Sequence, residues 1–321
     1  MKTLDKTTRF CYHNLNLFIY IITNKQFYAL KSKRERGIGM ENADGFKRFC
    51  FMLKWEKRLL KKFSKLPFAA RERYASELWH FFKSQDHGLP HAARVYIKAV
   101  EIMNHFSEDE RREIDIERIE AMCIFHDSGR FLVPIESAQN YAKRKRKGQV
   151  LHEYAGVLLA KIFGYSDPVI REGILRHDFF SSDFDPEKKS PVSLEAQILR
   201  AADKTSVNPA DEIERYDEYR RKFKFPLFNC DTPIEFRLDW SFSLKRDPRT
   251  DQLCYFFAVL ALRPENFKHP ILQEYYRDWS RQKKAAVDKI LEIVRKDQGD
   301  GAADIVDRMI AAYLKAREIS F

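Results

Sequence analysis

The chain has 321 residues, 44% of them hydrophobic, enough to fold alone around one large core with additions or two modest ones. Its 58 Lys+Arg against 47 Asp+Glu leave a formal net charge of +11, which favours anionic partners such as phosphates, nucleotides or nucleic acid but sets only the sign of a substrate. Five cysteines, Cys11, Cys50, Cys123, Cys230 and Cys254, are odd in number and far apart with no CxxC pair; this argues against a disulfide scaffold and a structural zinc knuckle and points to a reducing, cytoplasmic compartment.

At the amino terminus, Lys2, Lys6 and Arg9 precede the apolar stretch LNLFIYII (15–22) in a pattern that imitates a signal peptide. The run is far short of the roughly 20 apolar residues that span a bilayer, and TNKQF after it offers no small-residue cleavage site. Residues 1–39 therefore read as a loosely attached, poorly ordered extension ahead of Met40. KWEKRLLKKFSK (54–65) has the pattern of an amphipathic helix with a solvated basic face, with membrane contact as the minor reading.

From Gly45 to about Arg221, helix-period segments follow one another over 45–64, 68–84, 90–106, 115–128, 150–164, 167–178, 192–206 and 209–222. Gly88-Leu89-Pro90, Gly164 with Asp167-Pro168, and Ser190-Pro191 punctuate them as helix boundaries should be punctuated. The pattern then changes. In EFRLDWSFSLKR, Phe236, Leu238, Trp240, Phe242 and Leu244 alternate with polar residues, a period of two that suits a strand. After the turn DPRTD, the run QLCYFFAVLAL suits a second strand or a short helix, which periodicity does not separate. A small C-terminal β-hairpin is the expectation. Helices over 270–297 and 302–318 close the chain, the last with Ile305, Met309, Ile310, Tyr313 and Leu314 along one face. The predicted fold is mainly α: an extension (1–39), a helical bundle (40–210), and an accessory region of helix, hairpin and two helices (211–321) packed on the bundle.

Nine histidines occur in the chain, and His87, His91, His126, His152 and His177 all fall in one stretch, each on or beside a predicted helix. Intervals of 35, 26, 25 and 26 residues separate His91, His126, His152, His177 and Asp203, each suiting one antiparallel helix pair with its connection. A single histidine on an apolar helix is ordinarily a core or surface residue; four at these intervals, followed by Asp203, indicate convergence. Imidazoles with carboxylates, and no cysteine in the set, suit Mn, Fe, Ni, Co or Zn, with Mg as the harder alternative. His126 and Asp127 end the apolar run AMCIF, where burying an ionisable pair is costly unless a cation compensates it. On a helix the two side chains project about 100° apart, so both can reach one ion or Asp127 can bridge two.

The set HAARV, IFHDSGR, LHEYAGVLLA, GILRHD and SLEAQILRAADK resembles the HD-domain superfamily of metal-dependent phosphohydrolases over about residues 68–210. The resemblance implies an HD-type helical bundle in which His91, His126, Asp127 and Asp203 hold one ion. His152 and His177 match the histidines that two-metal members use for a second ion, bridged by Asp127. The chain departs from the pattern at Arg130, where many members carry Lys, and at Ser128, commonly an apolar residue. Arginine keeps the charge and can bind a phosphate bidentately.

The implied activity is hydrolysis of a nucleotide or another small phosphate ester by a metal-activated water. Asp127, Arg130 and Lys204 are the catalytic candidates, and Arg94, Arg130, Lys204 and His87 the substrate-binding ones. Arg94 equally suits an ion pair on its helix, and His87 a plain loop position. Two rival readings stand beside it: a di-iron oxygenase, because the ligand order is also similar to that of the inositol-oxygenase branch of the fold, and a non-catalytic, metal-stabilised regulatory or binding module. The basic run KRKRK (143–147) reads as a solvated loop that could rim the pocket. Nucleic acid is not the favoured partner, since no aromatic and basic residues interleave as in single-strand binders, and no membrane partner is expected.

Overall fold

A computed structural model describes residues 43–85, 87–131, 151–177, 193–224, 227, 253–261 and 263–316. The chain divides into two compact units, residues 1–71 and 72–321. In the first, helix α1 (Ala43–Phe63) buries Phe51, Trp55, Leu59 and Phe63, which recur every four residues, and turns Lys54, Lys57, Arg58, Lys61 and Lys62 to solvent. This is the basic amphipathic helix the pattern predicts. Helix α2 (Phe68–Lys83) follows.

In the second unit, helices α3 (Leu89–Met103), α5 (Ile116–Phe125), α6 (Leu151–Ile162), α7 (Pro168–Arg176) and α8 (Leu194–Thr205) form a bundle. α5 packs against all four of the others and is its central rod. Its last seven residues, Ile119 to Phe125, are all buried, and all but Glu120 are apolar. Boundary residues explain the frame. Pro90 sits in the first turn of α3, the Asp115 carboxylate caps α5 by accepting from the backbone N–H of Glu117 at 2.8 Å, and Asp167 before Pro168 caps α7. A short helix, α4 (Glu108–Glu113), absent from the predicted elements, is closed by a capping box between Ser107 and Glu110.

Two glycines set how closely α6 approaches the end of α5. A Cβ on Gly129, in the 3-10 turn Ser128–Phe131, would collide with the His152 carbonyl, and one on Gly156 would lie 2.5 Å from the Phe125 carbonyl. Hydrogen in place of a side chain at both positions lets the turn and α6 meet backbone to backbone.

The remaining helices are α9 (Pro209–Phe223), α10 (Leu253–Ala261), α11 (Pro270–Ser280), α12 (Lys283–Gln298) and α13 (Asp300–Ala316). The expected hairpin does not exist: its second arm is α10, and the described residues contain no strand. Leu253, Phe256, Phe257 and Leu260 are buried, a spacing of i, i+3, i+4 and i+7 that belongs to one helix face. The alternating stretch around Phe236 to Leu244 lies outside the described residues. The single helix expected over 270–297 is broken at Arg281 and Gln282 into α11 and α12. On α13 the buried face is Ala303, Val306, Met309, Ile310 and Tyr313, while Ile305 is exposed. Together α9, α10, α12 and α13 enclose a second, apolar core. Among the described residues, no helix is long and apolar enough to cross a membrane.

Candidate metal centre

The predicted ligands lie at helix ends that meet on one side of α5. His126 follows α5, His177 follows α7, His91 and His152 stand in the first turns of α3 and α6, and Asp203 lies in the last turn of α8. All are buried. His91 Nε2 is 3.2 Å from His126 Nε2 and 3.2 Å from Asp203 Oδ1, and His126 Nε2 is 3.6 Å from the same oxygen. Asp127 Oδ2 lies 3.8 Å from His91 Nε2 and 3.7 Å from His126 Nε2. The other oxygen, Oδ1, faces His177 Nε2 at 3.4 Å and His152 Nε2 at 3.7 Å. Two ligand triads result, His91-His126-Asp127 and Asp127-His152-His177, sharing one carboxylate.

The donor set fits divalent cations. Ligand bonds of about 2.1 Å place neighbouring donor atoms about 3.0 Å apart in octahedral and about 3.4 Å apart in tetrahedral geometry, which brackets the shortest of these separations. The rings are also oriented for it. His126 Nδ1 lies 2.9 Å from the Cys123 carbonyl and His177 Nδ1 2.7 Å from the Ile174 carbonyl. An Nδ1–H donating to each carbonyl leaves the Nε2 lone pair pointing into the centre.

Charge tells the same story. Burial alone would lift the Asp127 carboxyl, but the charges of Arg130, His87 and His126, with the His177 ring beside it, hold it well below the usual carboxylate range. Burial is likewise outweighed at Asp203 by Lys204, His126 and His91. Both carboxylates are therefore ionised. Burial pushes His91 down to about 4, while at His126 the opposing burial is overcome by Asp127 and Asp203 and the net shift is upward. The carboxylates thus draw positive charge to the middle of the cluster, which is the field a cation would meet.

Around the ligands, Arg130 Nε donates to Asp127 Oδ1 at 2.6 Å and Lys204 Nζ to Asp203 Oδ2 at 2.8 Å, each tethering a ligand carboxylate from outside. His87, partly exposed in the loop before α3, sits 2.7 Å from Asp127 Oδ2. Burial and the nearby Arg130 charge hold its pKa down against Asp127, and Arg215 of α9 adds to that effect. Arg94 is placed differently from the others: its guanidinium donates to the carbonyl of Gln85, anchoring the loop that carries His87. The run at 143–147 lies outside the described residues. Sequence reasoning passed over Glu153, a buried carboxylate 3.5 Å from His152 Nδ1; its position next to a ligand histidine was the available signal.

The family model for the HD domain matches residues 89–208, which span every one of these ligands. This segment is an HD domain. The match of this segment and the two triads support membership of the segment in the superfamily of metal-dependent phosphohydrolases and are consistent with chemistry by a metal-activated water. No curated protein and no solved structure matches the chain.

Proposed function

We propose that the HD centre hydrolyses a nucleotide or another small phosphate ester, in a reducing cytoplasmic setting. The observation that carries the reading is the shared Asp127, whose two oxygens face different pairs of histidines at 3.4 to 3.8 Å. When bound, one or two divalent ions, of Mn, Fe, Ni, Co, Zn or Mg, supply a Lewis acid and a water of lowered pKa.

The chain's own residues do the rest. Asp127 and Asp203, kept ionised by Arg130 and Lys204, match the charge of the ions, and the carbonyl-oriented His126 and His177 present fixed lone pairs. Arg130 and Lys204 bring positive charge next to the ligand carboxylates, where the non-bridging oxygens of a phosphate ester need neutralising. His87 stands on the partly exposed side of Asp127, placed to meet the substrate. Arg94 acts on that contact indirectly, by fixing the loop at Gln85.

Metal analysis of the full chain, followed by phosphate release from a panel of nucleotides and simple esters with Mn, Ni, Co, Fe and Mg added separately, tests the reading. Release that requires a divalent ion and disappears in His126→Ala is expected. Oxygen uptake with substrate and no phosphate release would turn the assignment to an oxygenase. Full metal occupancy with neither activity would leave a metal-stabilised regulatory module.

A further inference from the structure

Helix α9 follows closely after the ligand Asp203 and begins just beyond the segment that matches the HD model. Its first turns have two sides. Ile213 belongs to the apolar core that α9 shares with α10, α12 and α13, and Arg215, about 200° further round the helix, points away from that core. There the guanidinium is clamped. Its Nε donates to Glu212 Oε2 at 3.0 Å and Nη2 donates to Oε1, while its carbon lies 5.3 Å from the centroid of the neighbouring Tyr216 ring. A planar fork held in this way has already given up rotamer freedom that binding would otherwise cost it.

The side of α9 that carries Arg215 neighbours the rim of the metal centre. The charge of Arg215 acts on the ring of His87, which stands 2.7 Å from Asp127 Oδ2, and the charge of Arg130 acts on the Tyr216 hydroxyl. His87, Arg130 and Arg215 are all partly exposed. Three groups able to carry positive charge on the open side of a buried carboxylate repel one another, and an anion seated among them relieves that repulsion. A partly exposed ion pair within one helix adds little to stability, so bracing α9 does not account for the placement.

We propose that Arg215 binds a phosphate oxygen of the substrate from the α9 side of the centre, with Glu212 holding its guanidinium in place. Arg130 and Lys204 are engaged with the ligand carboxylates. Arg215 is clamped by a carboxylate that is no ligand, and it meets the anion from outside the coordination sphere, beside His87. The proposal deepens the phosphohydrolase reading and rests on it. It places one substrate contact in the accessory helices, outside the HD segment.

Calorimetric titration of the Mn-loaded full chain with inorganic phosphate, with metal content measured on the same samples, tests it. Wild type is expected to bind phosphate. Arg215→Ala is expected to bind it about 10- to 100-fold more weakly, the range of a hydrogen bond to a charged group, with its Mn content unchanged. Arg215→Lys keeps the charge and loses the planar fork, so its affinity is expected between the two. Phosphate bound by Arg215→Ala as tightly as by wild type would overturn the proposal and leave the phosphohydrolase reading standing. Loss of Mn together with phosphate would also overturn it, since Arg215 would then act on the ligands and not on the anion. Mn-loaded wild type that binds no phosphate would count against the phosphohydrolase reading itself, and the proposal would fall with it.

Discussion

The two interiors of residues 72–321 are built from similar helices and hold opposite contents. Around α5 the bundle encloses His91, His126, Asp127, His152, His177 and Asp203, with the aliphatic residues Ile119, Met122 and Ile124 on the same rod. Between α9 and α13 the enclosed set is apolar, from Ile213 and Phe256 through Ile290 and Val306 to Tyr313. The first interior carries ionised groups whose cost is offset by each other and would be offset further by a bound cation. The second lowers free energy simply by removing apolar surface from water. A chain that concentrates its charge chemistry in one core can leave stability to the other. Damage to the two should therefore separate into lost chemistry and lost folding.

The largest effect is expected at the carboxylate common to both triads. Asp127→Ala removes one oxygen from each, so metal content falls to background and turnover drops by about 10³-fold or more, the equivalent of several kcal/mol of transition-state stabilisation. Metal analysis beside phosphate-release rates checks it, and retained activity would dissolve the distinction between the cores. Next comes Phe256→Ala in the apolar core, expected to cost about 3–5 kcal/mol in denaturant unfolding while the folded fraction keeps its metal stoichiometry.

Lys283 is the exception that sharpens the comparison. It is fully buried beside the apolar core, with Nζ donating to the Leu260 carbonyl at 3.1 Å and lying 5.4 Å from the Tyr276 ring centroid. Burial, reinforced by Arg263, lowers its pKa from 10.5 to about 7. Between those values the unfolded chain binds the proton that the folded chain has released. Stability contributed by this group therefore rises with pH from about 7 to 10.5 and is lost as pH falls through that window, with a slope of at most about 1.4 kcal/mol per pH unit. Unfolding free energies measured across the window should show the slope in wild type and lose it in Lys283→Met. The smallest effect is expected for Ile305→Lys, within about 0.5 kcal/mol, because Ile305 is exposed on α13. A large thermal shift there would mean the exposed face of α13 is covered in solution.

The legible parts of the site were those written in local chemistry. The ordered histidines and aspartates and the Asp167-Pro168 boundary each depend on a few neighbouring residues, and the HD match to 89–208 covers the stretch that carries them. Glu153 escaped because adjacency to a histidine does not reveal a buried contact. Arg94 was ambiguous because an arginine near the start of a helix can reach substrate, an ion pair or, as here, a loop carbonyl.

By itself, the sequence determined a helical bundle with convergent imidazoles and carboxylates, because helix period and residue chemistry are local properties. It determined neither the state of LCYFFAVLA nor the face of α13. An apolar run of nine residues is short enough for a strand or a helix, and only packing against α9 and α12 makes it α10. Ile305 and Val306 are neighbours of equal hydrophobicity, and the position of α12 decides which one is buried. The bridging role of Asp127 was expected from the sequence, but which oxygen faces which histidine was decided by the tertiary structure, through how closely Gly129 and Gly156 let α6 approach.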